Sequence, residues 1–197
     1  MFLRLVRAID FLTAQPEWDG KTVVVFGSSQ GGFQAIAAAG LDTRVTFYAA
    51  GVPAGCYHTG FKVGRINGWP KFIPPGEQSA AKVVEAVRYY DAMNFVTRSK
   101  AGAIFTVGFI DTTCPPSSVY AAYNGVKGAK SIHNDTEAGH TNTPKASDSM
   151  REAVMEHVKA RMEKGLETDP QKKIRAADAK EVGVGNPSEE TYRYPNH

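Results

Sequence analysis

The spacing of hydrophobic residues divides the first fifty positions into helices that alternate with strands. Apolar side chains recur every three or four positions over 2–12, which predicts an amphipathic helix. A β-branched run predicts a strand over 23–26, and a second apolar run predicts a strand over 45–49. Between these strands, an alanine-rich stretch predicts a helix over 30–39 that Gly40 caps.

After position 50 the pattern changes to a stretch rich in glycine and proline that extends to position 78. Connections of this length inside a compact domain are usually functional, so we interpret 51–78 as a long loop or lid segment. Ser79 then caps a predicted helix. The apolar positions of that helix are Val83, Val84 and Val87.

The second half of the chain continues the alternation. It predicts a strand over 103–109, a short helix over 117–123 and a weaker strand over 130–133. Thr143 and Pro144 fit the cap and first turn of a final helix. The predicted buried stripe of that helix consists of Met150, Val154, Val158 and Met162, and Gly165 is expected to end it.

Together these elements predict an α/β fold, a parallel sheet with helices on both faces. We assign 1–165 to one domain. Residues 166–197 are polar and mixed in charge, which predicts a mobile tail.

Composition narrows the classes of partner. A chain of 197 residues with 42% hydrophobic residues suits one globular domain. The net charge is +3 with dispersed basic residues, so nucleic acid is not a predicted partner. No apolar run approaches the roughly 20 residues that a membrane span needs, and the first seven residues are too short for a signal peptide. No membrane partner and no compartment are predicted.

The two cysteines, Cys56 and Cys114, do not form a disulfide framework. They either pair with each other or lie buried as small apolar residues. The second interpretation is favoured.

The segment 27–32 reads Gly-Ser-Ser-Gln-Gly-Gly and links a predicted strand to a predicted helix. This is the Gly-x-Ser-x-Gly pattern of a nucleophile elbow, which predicts Ser29 as a nucleophile. Side chains at Gly27 and Gly31 are expected to collide with the neighbouring strand and helix. The alternative is an ordinary turn that holds phosphate, but no Lys-Ser/Thr pair follows the glycines.

In folds with such an elbow, the acid and then the histidine follow the serine along the chain. Asp111 comes just after the predicted strand 103–109, and His140 lies in a loop before the last helix. We therefore predict His140 as the base and Asp111 as the acid that orients it. Asp91 and Asp135 are the weaker competitors for the acid.

The other four histidines fit other roles. His58 lies in the long loop and is a candidate to line a pocket, while the remaining three are interpreted as structural or solvated: His133, His157 and His197. No His-x-x-x-His or Cys-x-x-Cys spacing is present, so neither a metal nor another cofactor is predicted.

Several segments resemble the acetyl xylan esterase / cephalosporin-C deacetylase family, within the α/β-hydrolase superfamily. They are the elbow 27–32, the segment 88–95 (Arg-Tyr-Tyr-Asp-Ala-Met-Asn-Phe), the segment 111–118 (Asp-Thr-Thr-Cys-Pro-Pro-Ser-Ser), its continuation 119–124, and Gly139 with His140. The resemblance covers roughly residues 1–164.

The resemblance implies a serine esterase that removes acetyl groups from sugar hydroxyls, with homo-oligomers common in the family. The expected substrate is a small acetylated carbohydrate or another small acyl ester. Position by position, it matches Ser29, Asp111 and His140 to the family's catalytic residues. Gln30 matches the residue whose backbone N–H forms half of the oxyanion hole. Ser28 stands where the family commonly has glycine, and Thr141 stands where an acidic residue is common.

The elbow strand is the first strand of this chain, whereas a complete α/β-hydrolase has several strands before it. We therefore interpret the chain as the C-terminal portion of such a domain, with its N-terminal strands missing. One loop among those strands supplies the second oxyanion donor, so low or no activity is expected from this chain alone. Two alternatives stay open: a serine peptidase of the prolyl-oligopeptidase type and a truncated, non-catalytic hydrolase fragment.

Overall fold

A computed structural model of the chain describes residues 1–73 and 81–168, with side chains through position 163. The chain divides into a compact unit over 1–158 and a second unit over 159–197. Most of the predicted tail, and the predicted cap Ser79, lie outside the described residues. No helix in the described part of the chain is both long enough and apolar enough to span a membrane.

Four parallel strands form one sheet in the order β1-β2-β3-β4. Their bounds are β1 (Val24–Ser28), β2 (Phe47–Gly51), β3 (Gly102–Gly108) and β4 (Lys130–Asp135). Helices connect and follow these strands: α1 (Phe2–Thr13), α2 (Gln30–Leu41), α3 (Ala81–Arg88), α4 (Ala92–Val96), α5 (Pro116–Gly125) and α6 (Pro144–Thr168). A short 3₁₀ helix, Gly60–Val63, lies in the long loop.

Alternating strand residues point to opposite faces of the sheet, and both faces are covered. On one face, Tyr48, Phe105 and Val107 are buried in the main core with Ile36 of α2 and Val119 of α5. A smaller cluster covers the other face, where Met150 of α6 packs against Phe47, Ala49 and Ile104. The predicted parallel sheet with helices on both faces is confirmed.

The register places three polar or small positions in one row near the carboxyl ends of the strands. Ser28 of β1 pairs with Gly51 of β2, and Gly51 pairs with Thr106 of β3. Because neighbours in a row point to the same face of a sheet, this row lies on the α6 face, beyond Ala49 and Ile104.

Three predictions about helix ends and faces are wrong. Gly40 does not cap α2 but lies within it, where a β-carbon would approach Cβ of Phe95 to 2.7 Å, so the glycine permits close packing against α4. Gly165 does not end α6, which continues to Thr168. Met162 does not belong to the buried stripe, since it is 60% exposed.

Helix α4 is a further element that the hydrophobic pattern does not predict as a separate helix. Its five residues are too few to show a helical period, and its start depends on Asp91, whose carboxylate accepts a hydrogen bond from the backbone N–H of Met93 at 3.0 Å.

Candidate active site

Ser29 lies at the junction of β1 and α2 in strained backbone, with φ 53° and ψ −117°. Non-glycine residues rarely adopt positive φ, and here the surrounding hydrogen bonds hold it in place. The N–H of Ser29 donates to the carbonyl of Gly51 at 2.8 Å, and its own carbonyl accepts from Phe33 and Ala54, both at 3.0 Å. The elbow is therefore tied to β2, to α2 and to the start of the long loop.

The two glycines of the motif have different roles. A β-carbon on Gly27 would overlap the backbone of Gly31, so only glycine fits at that position. A β-carbon on Gly31 would meet nothing within 4 Å, so the expectation that a side chain there would collide is wrong. The second close approach occurs instead at Gly32, whose β-carbon would lie 3.0 Å from the carbonyl oxygen of Gly51.

The loop that carries His140 lies against the end of β3. The carbonyl of Ala138 accepts from the N–H of Ile110 at 3.1 Å. A β-carbon on Gly108 would overlap the carbonyl groups of Ala138 and Gly139, so the glycine that ends β3 makes room for this loop.

Three side chains from separate parts of the sequence form one hydrogen-bonded chain. Oγ of Ser29 lies 2.8 Å from Nε2 of His140, and Nδ1 of His140 lies 2.8 Å from Oδ2 of Asp111. A buried carboxylate can only accept here, so Nδ1 carries the proton and Nε2 is free to accept from the serine hydroxyl.

The second carboxylate oxygen of Asp111 is also engaged. Oδ1 accepts from the backbone N–H groups of Thr113 at 2.8 Å and Cys114 at 2.9 Å. The Asp111 side chain is 1% exposed and the His140 side chain is 27% exposed. The chain of hydrogen bonds thus starts from a buried, oriented carboxylate and reaches an accessible hydroxyl.

The sequence model of the family Acetyl xylan esterase (AXE1) matches residues 1–152. The chain belongs to this family.

The chain is also similar to an acetyl esterase and to two acetyl xylan esterases of known structure. Over 130 residues the chain is 38% identical to the acetyl esterase Axe7A of Xylanibacter ruminicola, covering 66% of this chain and 30% of that protein. The structure resembles an acetyl xylan esterase from Paenibacillus sp. R4 with a TM-score of 0.68 and 32% identity, over 81% of this chain and 51% of that one. It also resembles acetyl xylan esterase 1 from Thermoanaerobacterium sp. JW/SL YS485, with a TM-score of 0.67 and 27% identity over 77% and 50% of the two chains.

This acetyl xylan esterase family chain therefore spans about half the length of the solved relatives and less than a third of the curated one. An acylaminoacyl peptidase from Pyrococcus horikoshii shares the fold with a TM-score of 0.60, but only 16% identity. That likeness supports the α/β-hydrolase fold and carries no information about substrate.

Neither competitor for the acid lies in the hydrogen-bonded chain. The carboxylate of Asp91 accepts from the backbone N–H groups of Tyr57 and His58, each at 2.9 Å, in addition to capping α4. It anchors the long loop rather than an imidazole. Asp135 ends β4, where its carbonyl accepts from the N–H of Phe109 at 2.9 Å.

His58 is not a pocket-lining residue. It is 1% exposed, and its ring packs against Phe72 with the ring centroids 4.9 Å apart. Burial lowers its pKa because the charged imidazolium is disfavoured away from water. Residues 51–73, the described part of the predicted loop or lid segment, start with a buried stretch that Asp91 holds, and a lid function stays a prediction.

Both cysteines are free and buried, as the favoured interpretation predicts. Cys114 lies close enough to the hydrogen-bonded chain that ligand atoms of Asp111, Cys114 and His140 fall within 4.8 Å of one another. These donors suit a metal poorly. Both oxygens of Asp111 are already bonded, while burial and the nearby Asp111 raise the pKa of the Cys114 thiol to about 12. The prediction that no metal is bound stays a prediction.

Sequence reasoning missed one polar side chain beside the site. Nδ2 of Asn142 donates to Oγ of Ser28 at 2.6 Å, and Oδ1 of Asn142 accepts from Oγ1 of Thr106 at 2.5 Å. The one available signal was Thr106, a polar residue in the middle of an apolar strand. Nothing in the sequence pairs that residue with Asn142.

Proposed function

We propose that this chain carries the catalytic residues of a serine carboxylesterase that removes acetyl groups from acetylated carbohydrate. Ser29 is the nucleophile, His140 is the general base and Asp111 orients the imidazole. The observation that carries the proposal is the unbroken pair of 2.8 Å hydrogen bonds through His140. It joins three residue types that together activate a serine hydroxyl.

The reaction would proceed in two halves. As Oγ of Ser29 bonds to the carbonyl carbon of the ester, its proton passes to Nε2 of His140, and His140 then returns that proton to the departing sugar alkoxide. Water attacks the acyl-serine in the second half, again losing its proton to Nε2, and acetate leaves as Ser29 regains its proton. The negative charge of Asp111 stabilises the imidazolium that forms in each half.

The negative oxygen of each tetrahedral intermediate needs hydrogen-bond donors. Gln30 is the first residue of α2, and the first amide groups of a helix have no carbonyl acceptor within the helix. We propose that the backbone N–H of Gln30 is one oxyanion donor, where the positive end of the helix dipole also favours the charge.

The proposed substrate class is inferred from the similarity of this chain to known proteins and not from the shape of a pocket. The family and the similar proteins named above are acetyl esterases and acetyl xylan esterases. We therefore propose a small acetylated carbohydrate as the substrate of the protein to which this sequence belongs.

Covalent labelling tests the nucleophile, because a fluorophosphonate needs an activated serine but no turnover. The folded wild-type chain should be labelled at Ser29 and should lose this labelling in Ser29→Ala. Any release of acetate from an aryl acetate should be lost in the same variant. Labelling that persists in Ser29→Ala would overturn the proposal. So would a chain that unfolds cooperatively yet is not labelled.

Substrate class needs a separate comparison. An acetylated xylo-oligosaccharide should be cleaved in preference to an aminoacyl anilide, which a peptidase of the prolyl-oligopeptidase type would accept. Preference for the anilide would show that the proposed function is wrong and that the protein is a peptidase, but it would not change the assignment of Ser29 as the nucleophile.

A further inference from the structure

We infer that Asn142 is a positioning residue, whose side chain fixes the loop of the catalytic base against the nucleophile elbow. The inference rests on the proposed function, because it assigns Asn142 a role in the reactivity of Ser29. It concerns a hydrogen-bonded bridge formed by Ser28, Asn142 and Thr106, called here the amide bridge.

The amide bridge crosses the row of the sheet in which Ser28, Gly51 and Thr106 are neighbours. The Asn142 amide reaches Ser28 on one side and Thr106 on the other, at 2.6 and 2.5 Å. Between them it lies directly over Gly51, where a β-carbon would come within 2.9 Å of Oδ1 and would overlap Nδ2. The bridge can form only because the middle strand presents a glycine at this position.

Each hydrogen bond of the amide bridge has a defined donor and acceptor. The N–H of Val52 donates to Oγ1 of Thr106 at 3.0 Å, and the Thr106 hydroxyl in turn donates to Oδ1 of Asn142. The Asn142 amide then donates to the Ser28 hydroxyl. Thr106 is 1% exposed, so loss of Asn142 would leave a buried hydroxyl without an acceptor for its proton.

The two ends of the bridge lie beside the two reacting groups. Ser28 directly precedes Ser29, and Asn142 follows His140 by two residues. On the other side of His140, the carbonyl of Ala138 is held by the N–H of Ile110. The imidazole therefore lies between two anchored points, one just after the end of β3 and one on both β1 and β3.

Backbone strain occurs at the same place. Val52 has φ 35°, an unusual value for a β-branched residue. Its N–H donates to both the carbonyl and the hydroxyl oxygen of Thr106, at 3.2 and 3.0 Å. Strain of this kind persists where surrounding contacts hold it, and such sites cluster near catalytic groups.

The competing explanation is that Asn142 only fastens α6 to the sheet. Asn142 precedes α6, and side chains within that helix already do this. Oγ of Ser149 lies 2.9 Å from Nδ1 of His133 on β4, and Nε2 of His157 lies 2.9 Å from Oγ1 of Thr46. Ser149→Ala is therefore a matched control, because it removes one hydrogen bond between α6 and the sheet without touching Ser28, Asn142 or Thr106.

The first experiment measures the rate of fluorophosphonate labelling of Ser29, and kcat and KM for an aryl acetate, in the full chain. Asn142→Ala should lower the labelling rate and kcat about tenfold with KM nearly unchanged, since the base is misplaced and not the substrate site. Ser149→Ala should stay within about twofold of wild type. Ser28→Ala should lower the rate, and should lower it no further in the Asn142→Ala background.

Two results would overturn the inference: a labelling rate for Asn142→Ala within twofold of wild type, or an equal loss in Ser149→Ala.

A second readout does not depend on activity, and so separates this inference from the proposed function. In ¹⁵N-histidine-labelled protein, His140 should show one tautomer with the proton on Nδ1, and Asn142→Ala should give a mixture of tautomers. His140→Asn identifies the signals. If the wild type is unreactive but this change occurs, the proposed function fails and the positioning role stands. An unchanged His140 spectrum in Asn142→Ala would reject the positioning role.

Discussion

The side-chain amide of Asn142 occupies the space that a β-carbon on Gly51 would fill. Gly51→Ala should therefore push the amide away from Ser28 and Thr106 and lower the free energy of unfolding by about 1–3 kcal/mol. Urea unfolding measures this loss. In the Asn142→Ala background the same substitution should be far less destabilising, because the collision with the amide is gone and the remaining close atom, Oγ of Ser28 at 2.9 Å, can rotate away. Equal losses in the two backgrounds would contradict the prediction.

The two glycines that flank Ser29 should respond oppositely to the same substitution. Gly27→Ala places a methyl group into the backbone of Gly31 and should prevent native folding or lower stability by more than about 3 kcal/mol. Gly31→Ala fills open space in the first turn of α2 and should be neutral or stabilising by up to about 1 kcal/mol. Thermal unfolding of the two variants side by side tests this. Similar losses in both would show that the close approach at Gly27 is not decisive.

The roles of Asp111 and Asp91 can be distinguished, because substitution of one should lower activity and substitution of the other should lower stability. Asp111→Asn should lower kcat for an aryl acetate by about 10⁴-fold while the fold is kept, because the wrong tautomer of His140 is favoured. Asp91→Asn should instead lower stability by about 1–3 kcal/mol, because its carboxylate accepts three backbone N–H groups, with kcat nearly unchanged. Paired kinetics and urea unfolding distinguish them. The reverse pattern would make Asp91 the acid.

Buried His58 predicts a dependence of stability on pH. Its folded-state pKa is lowered by burial, so below about pH 6.5 the unfolded chain binds a proton that the folded chain does not. The free energy of unfolding should therefore fall as the pH drops below about 6.5, and His58→Gln should reduce that slope. Urea unfolding between pH 7 and pH 5 measures it. An unchanged slope in His58→Gln would assign the effect to other groups.

The cysteines should be inert in the folded chain. Burial raises the pKa of both thiols, that of Cys114 to about 12, so neither is appreciably ionised at pH 9. An aromatic disulfide reagent should react with both thiols only in denaturant. The unfolded thiols ionise above about pH 8.5 while the folded ones stay protonated, so stability should also decline as the pH rises past that value. Rapid reaction of native Cys114 would contradict its burial.

Sequence patterns predicted most elements because each shows either a long helical period or a short β-branched run. The strands are displaced by one or two residues, for example β2 begins at Phe47 and not at position 45. Such ends depend on pairing between strands, which a single segment does not encode. Helix α4 was missed because five residues hold too little periodicity.

The candidate site was predicted through the order of Ser29, Asp111 and His140 along the chain, which strand ends in a parallel sheet bring together. The structure places all three within hydrogen-bond reach, and their catalytic roles stay predictions. The amide bridge could not be predicted in this way. Asn142 lies 36 positions from Thr106 and 114 from Ser28, and no shared motif connects them.

Strand β2 contributes no side chain to the hydrogen-bonded chain, yet it determines the distance between the strands that carry the nucleophile and the acid. Ser29 follows β1 and Asp111 follows β3, so one intervening strand separates nucleophile from acid by about 10 Å, twice the usual interstrand distance. The imidazole of His140, with a 2.8 Å hydrogen bond at each end, covers most of this separation, and the side chains of Ser29 and Asp111 cover the remainder. The spacing of the strands therefore sets how far the imidazole of His140 has to reach between Ser29 and Asp111.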